Sequence, residues 1–489
     1  MPVRLALAVA ALVLVGGCAP ALTAASSTPS GQAAIERAVQ TALVRAGLAE
    51  PTTGPVAETA SLVAGPMLAD VTHRGAAVWV QTDGPAQVTV DAFGPGDSTP
   101  TASARAVSGD DGTATARLFG LEPGTAYTYR VSVDGADATP TAYETAFRTQ
   151  ALWQWRTDPP AFTAAIGSCY YDNDPAYDRP GDGYGGTTAI FGEIDALRPD
   201  LMVWLGDNTY LREVDWWSAE GIDYRFGRSR SEPALQPLLA RTAHYATWDD
   251  HDYGPNNSDR SYVLKGETLD TFTDYWPAST RGLPGVPGVF TQFQWADVEF
   301  FLLDDRYHRA PNDAPAAERT ILGEDQAQWL LDALTASRAP FKVVGVGGQF
   351  LNPIPVFETF SAVAPAERQR LLDEIAARRI EGVVFLSGDR HHTELLKLDR
   401  PGAYPLYEFT SSPLTAGAST YPLREDSPER DNPLRVEGTL VAGERNFGTL
   451  TVQGPRTDRT MTMRTYAADG RMLWERAVRA RDLEYPRGG

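Results

Sequence analysis

Six apolar runs follow one another after Trp153: AFTAAIG, DLMVWLGD, HYATWDD, VEFFLLDD, FKVVGVGGQF and GVVFLSGD. Each holds a buried-strand candidate of roughly four to eight residues. Between them the stretches Ala189–Leu197, Pro233–Ala243, Gly323–Ser337 and Pro365–Arg378 carry apolar residues at helical spacing. Strands alternating with helices predict an α/β core. The strand ends constrain it further. They run into Ser168-Cys169, into Asp207-Asn208 with Tyr210 close behind, into Asp249-Asp250-His251-Asp252, into Asp304-Asp305, and into Asp389-Arg390-His391-His392. Ligands of open α/β sheets bind at the carboxyl ends of strands, so ends this rich in Cys, Asp and His are expected to converge.

The third end, WDDHD, sets the electrostatic problem. Unit charges 4 Å apart repel by about 4 kcal/mol at an effective dielectric of ~20. A solvated loop, protonation or a cation would relieve that. An Asp after Gly is common at turns, and Asp304 and Asp305 have Arg306 and Arg309 beside them as partners. The combination favours a cation. Carboxylates and amide oxygens suit hard cations, thiolates suit transition ions, and Cys, Asp, Tyr and His together indicate a mixed centre, with ferric iron the natural occupant. Three of the six histidines, His251, His391 and His392, fall in these clusters.

The chain has 489 residues, enough for two or three domains, and 43 Lys+Arg against 63 Asp+Glu, a net charge of −20. That balance disfavours nucleic acid and anionic surfaces as partners. The N-terminus pairs Arg4 with an apolar stretch, Leu5 to Val15, too short to span a bilayer. It ends in LVGGCAP, which resembles a bacterial lipobox; residues 1–17 then form a signal peptide and Cys18 is lipidated, tethering an exported protein to the cell envelope or periplasmic membrane face. With two cysteines in all, Cys169 is left without a disulfide partner, and is either inert in the core or held by a metal. Residues 18–60 read as a linker containing one helical stretch, Ala33 to Ala46. Residues 61–150 read as a small all-β sandwich of fibronectin or immunoglobulin type, from AAVWVQT, AQVTVDAF, AYTYRVSV and ETAFRTQ. Residues 158–489 form the third region, closed by a hairpin-like segment from Arg445 to Ala480.

Four ordered motifs, GSC at 167–169, GDNTY at 206–210, WDDHD at 248–252 and GDRHH at 388–392, resemble the alkaline phosphatase D (PhoD) family of the calcineurin-like metallophosphatase superfamily. The resemblance implies a four-layer α/β (α+β) core of mixed sheets flanked by helices, with two or three metal ions, iron and calcium, other divalent metals being compatible. It makes Cys169, Asp207, Tyr210 and Asp389 the iron ligands, with Asp207 bridging to a calcium held by Asp250 and His391. His251 takes the place of the superfamily's catalytic histidine, supported by Asp250, Asp252 and Arg390, while Asp249 and Asp252 orient His251 and the neighbouring backbone. Asn256 and Asn257 are weaker oxygen-ligand candidates. His392 and Glu394 receive no role. The D-x-H that opens many metallophosphatases is absent, and the signal lacks a twin arginine.

The activity this implies is hydrolysis of phosphomonoesters or phosphodiesters by a metal-activated water, in a monomer acting on small phosphate esters or phospholipids. Arg225, Arg228, Arg230 and Arg390 are candidates for the phosphate oxygens, against the alternative of ion pairing. Trp216 and Trp217 are either a wall for a second ester substituent, as in a phospholipase D-like diesterase, or core. A rival of another class, a non-enzymatic calcium-binding surface lipoprotein, predicts oxygen ligands alone.

Overall fold

A computed structural model describes residues 60–486, which form one compact unit. The signal peptide, Cys18 and the stretch Ala33 to Ala46 lie outside the described residues. The first eight strands are β1 Leu62–Ala69, β2 Gly75–Thr82, β3 Gln87–Phe93, β4 Ala102–Val107, β5 Thr113–Phe119, β6 Ala126–Val133, β7 Ala136–Asp137 and β8 Ala146–Arg148. Next come β9 Phe162–Gly167, β10 Leu201–Leu205, β11 Ala243–Thr247, β12 Thr291–Trp295, β13 Val298–Leu302 and β14 Phe341–Gly345. The last six are β15 Val383–Ser387, β16 Glu394–Leu398, β17 Leu406–Thr410, β18 Asn446–Gln453, β19 Thr460–Ala467 and β20 Met472–Arg479.

Two sheets form the core. One has nine strands in the order β20-β19-β18-β9-β10-β11-β1-β2-β5, the other six in the order β12-β13-β14-β15-β17-β16. Strand β10 shows why they stack. Side chains alternate across a strand, so Leu201, Val203 and Leu205 face the core that also holds Val298, Phe300 and Leu302 of the second sheet. Met202 and Trp204 face the other way, into a cluster with Ile190, Phe191, Leu238 and Phe272 from the helices Ile190–Ala196, Gln236–Arg241 and Lys265–Tyr275. On the far side, Leu330, Leu331, Leu371 and Ile375 of the helices Glu324–Ala336 and Pro365–Ala377 pack with Phe350 and Phe385. The result is four layers, helix on sheet on sheet on helix.

All six apolar runs are strands: β9, β10, β11, β13, β14 and β15. Two arrangements were not evident in the sequence. The N-terminal strands do make two layers, with β4-β3-β6-β7 and β8 as one of them, but the other layer, β1-β2-β5, is the outer third of the nine-stranded sheet, joined through the parallel pair β1 and β11. The C-terminal segment forms the opposite outer third, β20-β19-β18, and joins the core through β18, which pairs antiparallel with β9 along Phe162–Ile166.

Candidate metal centre

The ends of β9, β10, β11 and β15 meet because two glycines let their backbones touch. A Cβ on Gly206 (φ 88°) would lie 2.6 Å from the Asp249 Cβ, and one on Gly388 would lie 2.5 Å from the Ser168 Cβ. Glycine before aspartate in GDNTY and GDRHH is thus a condition of closure between loops. The next residues carry strain. Cys169 (φ 58°), Asp207 (φ 53°), Asp389 (φ 61°) and His391 (φ 53°) all adopt left-handed backbone, at about 1–3 kcal/mol each.

Asp207 is the hub. Its Oδ2 lies 3.5 Å from the Cys169 Sγ and accepts from the Tyr210 hydroxyl at 2.9 Å. The same hydroxyl is 3.2 Å from His391 Nε2. His391 Nδ1 is 2.7 Å from the Gly417 carbonyl, which only accepts, so Nδ1 carries the proton; with the Tyr210 proton directed to Asp207, the Nε2 lone pair is left available to a cation. Two ligand-type triads result, each with donor atoms within 4.8 Å of one another: Cys169, Asp207 and His391, and Asp207, Asp250 and His251. Asp207 belongs to both. His391 thus has the thiol as a neighbour in one triad, while Asp250 also acts on it electrostatically and lines the same cleft.

The groups fit cations and little else. Burial, then Cys169 and the neighbouring acids, pushes Asp207 well above the carboxylate range. Burial raises Asp389 and lifts the Cys169 thiol to about 12. Burial lowers the two imidazoles, leaving them neutral and ready to ligate. Against the push of burial, Asp250 is held below its ordinary value, with the Arg306 charge and the Asn257 N–H, which donates to its carboxylate at 2.6 Å, among the causes. Buried polar atoms without a hydrogen-bond partner here include Asn208 Oδ1 and His251 Nδ1. Positive charge would ionise the acids and the thiol together. Asp207, Asp250, His251, Asp389, Arg390 and His391 open into a cleft of about 410 Å³, joined there by Asn256 and Asn257.

Around this centre the other acids of WDDHD are struts. Asp252, expected to act with His251, does not line the cleft. Its carboxylate takes three backbone N–H groups, from Asn208 and Thr209 at 2.9 and 3.0 Å and from Asp249 at 3.0 Å, binding the second and third motifs together. Asp249 pairs with the buried Arg306, which also reaches Glu358 at 2.7 Å. Asp304 caps the Arg306 and Tyr307 N–H groups, both at 2.9 Å, while Asp305 lies 3.7 Å from Arg306. This fifth strand end supports the centre from behind. His392 approaches Glu394 at 3.5 Å, and Glu394 pairs with Arg435 at 2.6 Å.

Three of the four candidate phosphate arginines are elsewhere. Arg225 is buried against Asp215 and Asp174 at 2.7 and 3.2 Å, Arg228 pairs with Asp172 at 3.0 Å, and Arg230 lies 3.8 Å over Trp276. They lie on one helix, Ala219–Arg230, whose cationic face meets an acidic loop. Arg390 alone of the four lines the cleft, tied to Glu429 at 2.7 Å. Trp216 packs on the helix-side core and Trp217 is 68% exposed; neither lines the cleft. Residues that sequence reasoning missed include Asn208, the second half of a GDN whose amide is oriented by a 2.7 Å bond to the Thr247 carbonyl, and Tyr184, whose hydroxyl is 3.1 Å from His391 Nδ1.

A larger cavity, about 660 Å³, lies away from this site. It lies at the opposite ends of β10 and β11, lined by Asp200, Arg241, Arg198, Glu144, Arg148 and Asp97 among others, and each of these charged side chains has a partner.

Comparison with known proteins places the chain in a family. The PhoD-like phosphatase family model matches residues 177–462, and a domain of unknown function (DUF7800) matches residues 59–151. Alkaline phosphatase D of Bacillus subtilis (strain 168) is 27% identical over 374 residues, 64% of this chain; the match spans 60% of that relative's length. A solved structure of PhoD superposes with a TM-score of 0.69 at 18% identity, covering 87% of this chain and 93% of its own. The purple acid phosphatase from yellow lupin (Lupinus luteus) seeds superposes with a TM-score of 0.62 at 13% identity, covering 87% and 77%. At those identities the two structures speak to the fold alone, which is that of the metallophosphatases. With its family model matched across the strand ends that carry Asp207, Asp250 and Asp389, the chain belongs to the PhoD-like phosphatase family.

Proposed function

We propose that the protein hydrolyses phosphate esters, with metal ions held in the cleft. The observation that supports this most directly is the sharing of Asp207 by two ligand-type triads, one containing a thiol and the other oxygen and nitrogen donors. Cys169, Tyr210 and His391 favour a transition ion, iron by their chemistry, on one side of Asp207, and Asp250 with Asn257 and Asn256 favours a hard cation, calcium, on the other. When bound, such ions polarise phosphate oxygens and acidify water. Asp389 faces the same cleft and is a further candidate ligand. The chain's own groups do the rest. Arg390, held by Glu429, receives phosphate oxygens. His251, stacked on Tyr210 at 4.2 Å between ring centroids, sits beside Asp250 to stabilise the transferring group or protonate the leaving alcohol. Asp252 keeps the His251 turn in register with Asp207.

A thiol and a phenol within the ligand set speak against the calcium-only lipoprotein. Small phosphate esters are the proposed substrates, with phospholipids the second class. Export and a lipid tether through Cys18 complete the reading; no helix among the described residues is long and apolar enough to cross a membrane. Metal analysis of the purified protein, paired with turnover of a nitrophenyl monoester and its bis-ester, tests the proposal. A transition metal, with turnover lost on chelation and recovered on reloading, is expected. Calcium alone without turnover would refute it.

A further inference from the structure

The rim of the cleft carries a surface that phosphate chemistry does not use. Phe357 is 62% exposed and has a left-handed backbone (φ 47°), which is strained for a bulky side chain. An exposed ring on strained backbone gains no burial, so its surroundings must impose the conformation. They do. The next residue, Glu358, is held by Arg306, Arg309 and Asn312 at 2.7, 2.6 and 2.8 Å. The Thr359 hydroxyl donates to the Ile354 and Val356 carbonyls, and the Phe360 N–H donates to the Gln349 carbonyl. Tyr421 meets the Phe357 ring edge-on, with centroids 5.0 Å apart and planes at 83°. The Arg390 guanidinium lies 4.7 Å from the same ring's centroid, and its buried Nε has no partner. Phe357, Tyr421 and Arg390 line the cleft that holds Asp207, Asp250 and His251.

We propose that Phe357 and Tyr421 form a subsite for the organic group of the ester, and that the group is flat and aromatic. This rests on the phosphoester reading and specifies its substrate class. Arg390 touches the ring and faces the phosphate pocket, so the two subsites adjoin. A perpendicular ring pair offers a face and an edge, which a planar group fills by stacking. The lining argues against an acyl chain: apart from Phe357, Tyr421 and Tyr184 it consists of Asp, Asn, Glu, His, Arg and Ser, with no aliphatic side chain to make a trough.

Calorimetric titration of the metal-loaded protein with phenylphosphonate and with methylphosphonate tests this without turnover. The phenyl compound should bind about fivefold more tightly. Phe357→Ala should erase that preference and Phe357→Trp should keep it; an exposed position makes both variants compatible with the fold. The ratio of kcat/KM for phenyl phosphate over glycerol phosphate should fall in Phe357→Ala by a similar factor. An unchanged phenyl preference in Phe357→Ala overturns the subsite. A preference that tracks residue 357 in a protein without turnover upholds the subsite and refutes hydrolysis instead.

Discussion

The two ends of β10 and β11 hold cavities of opposite character. At the amino ends, about 660 Å³ is bordered by charged side chains that all have partners, such as Arg198 with Glu144 and Arg241 with Asp195. At the carboxyl ends, about 410 Å³ is bordered by Asp207, Asp250 and Asp389, acids that repel one another and have no cation of the chain to neutralise them all. Volume and chemistry point in opposite directions, and the chemistry is the better guide. An open, satisfied cavity costs the fold little. A strained, like-charged one persists only where something it binds repays the strain.

The contrast is broken most decisively by exchange of roles. Asp207→Ala should lower phosphate release by about a thousandfold or more and empty the site of metal, whereas Arg241→Ala should leave both within about twofold. Comparable losses in the two variants, measured by phosphate assay and metal analysis, would erase the distinction.

A second prediction concerns pH. Burial lifts the Asp252 carboxyl to about 8 and raises Asp207 and Asp389 above their ordinary value. In the unfolded chain these groups ionise near 4. Between pH 4 and 8 the metal-free native state therefore binds more protons than the unfolded state, and its stability falls as pH rises, at up to about 1.4 kcal/mol per pH unit for each such group. Metal loading should reverse the trend and release protons. Urea midpoints at pH 5 and 8, with and without metal, measure it; equal midpoints in the metal-free protein would count against the frustrated end. At the satisfied end, Arg198→Ala removes an ion pair whose side chains are 62% and 51% exposed, and should shift stability by less than about 1 kcal/mol.

The satisfied half of the molecule was largely legible. Apolar runs bounded by turns gave the six central strands, and 3.6-residue spacing gave the helices Glu324–Ala336 and Pro365–Ala377 almost to the residue. The helix Ala219–Arg230 was missed because Gly221 and Gly227 weaken its propensity and its arginines are buried by ion pairs rather than apolar contact. For Arg225 and Arg228 the structure bears out ion pairing, the alternative to phosphate contact. At the site, the motifs located Cys169, Asp207, Tyr210, Asp250 and His391 on the converging ends. Which of them share a triad could not be read, because that depends on how the loops fold back: His391 reaches Cys169 through backbone at positive φ, supported by Ser412, whose hydroxyl bonds the His391 N–H at 2.9 Å and the Cys169 sulfur at 3.1 Å. Phe357 carried no motif at all.

The middle of the nine-stranded sheet bears on when the chain can finish folding. Strand β9 carries Cys169 just beyond its end, yet one of its two neighbours, β18, is Asn446–Gln453. During synthesis β9 waits through nearly three hundred residues for that flank. Until then the strand that leads to the thiol has an open edge. The flank that steadies the thiol-bearing strand is thus a contact between distant parts of the sequence, β9 and β18.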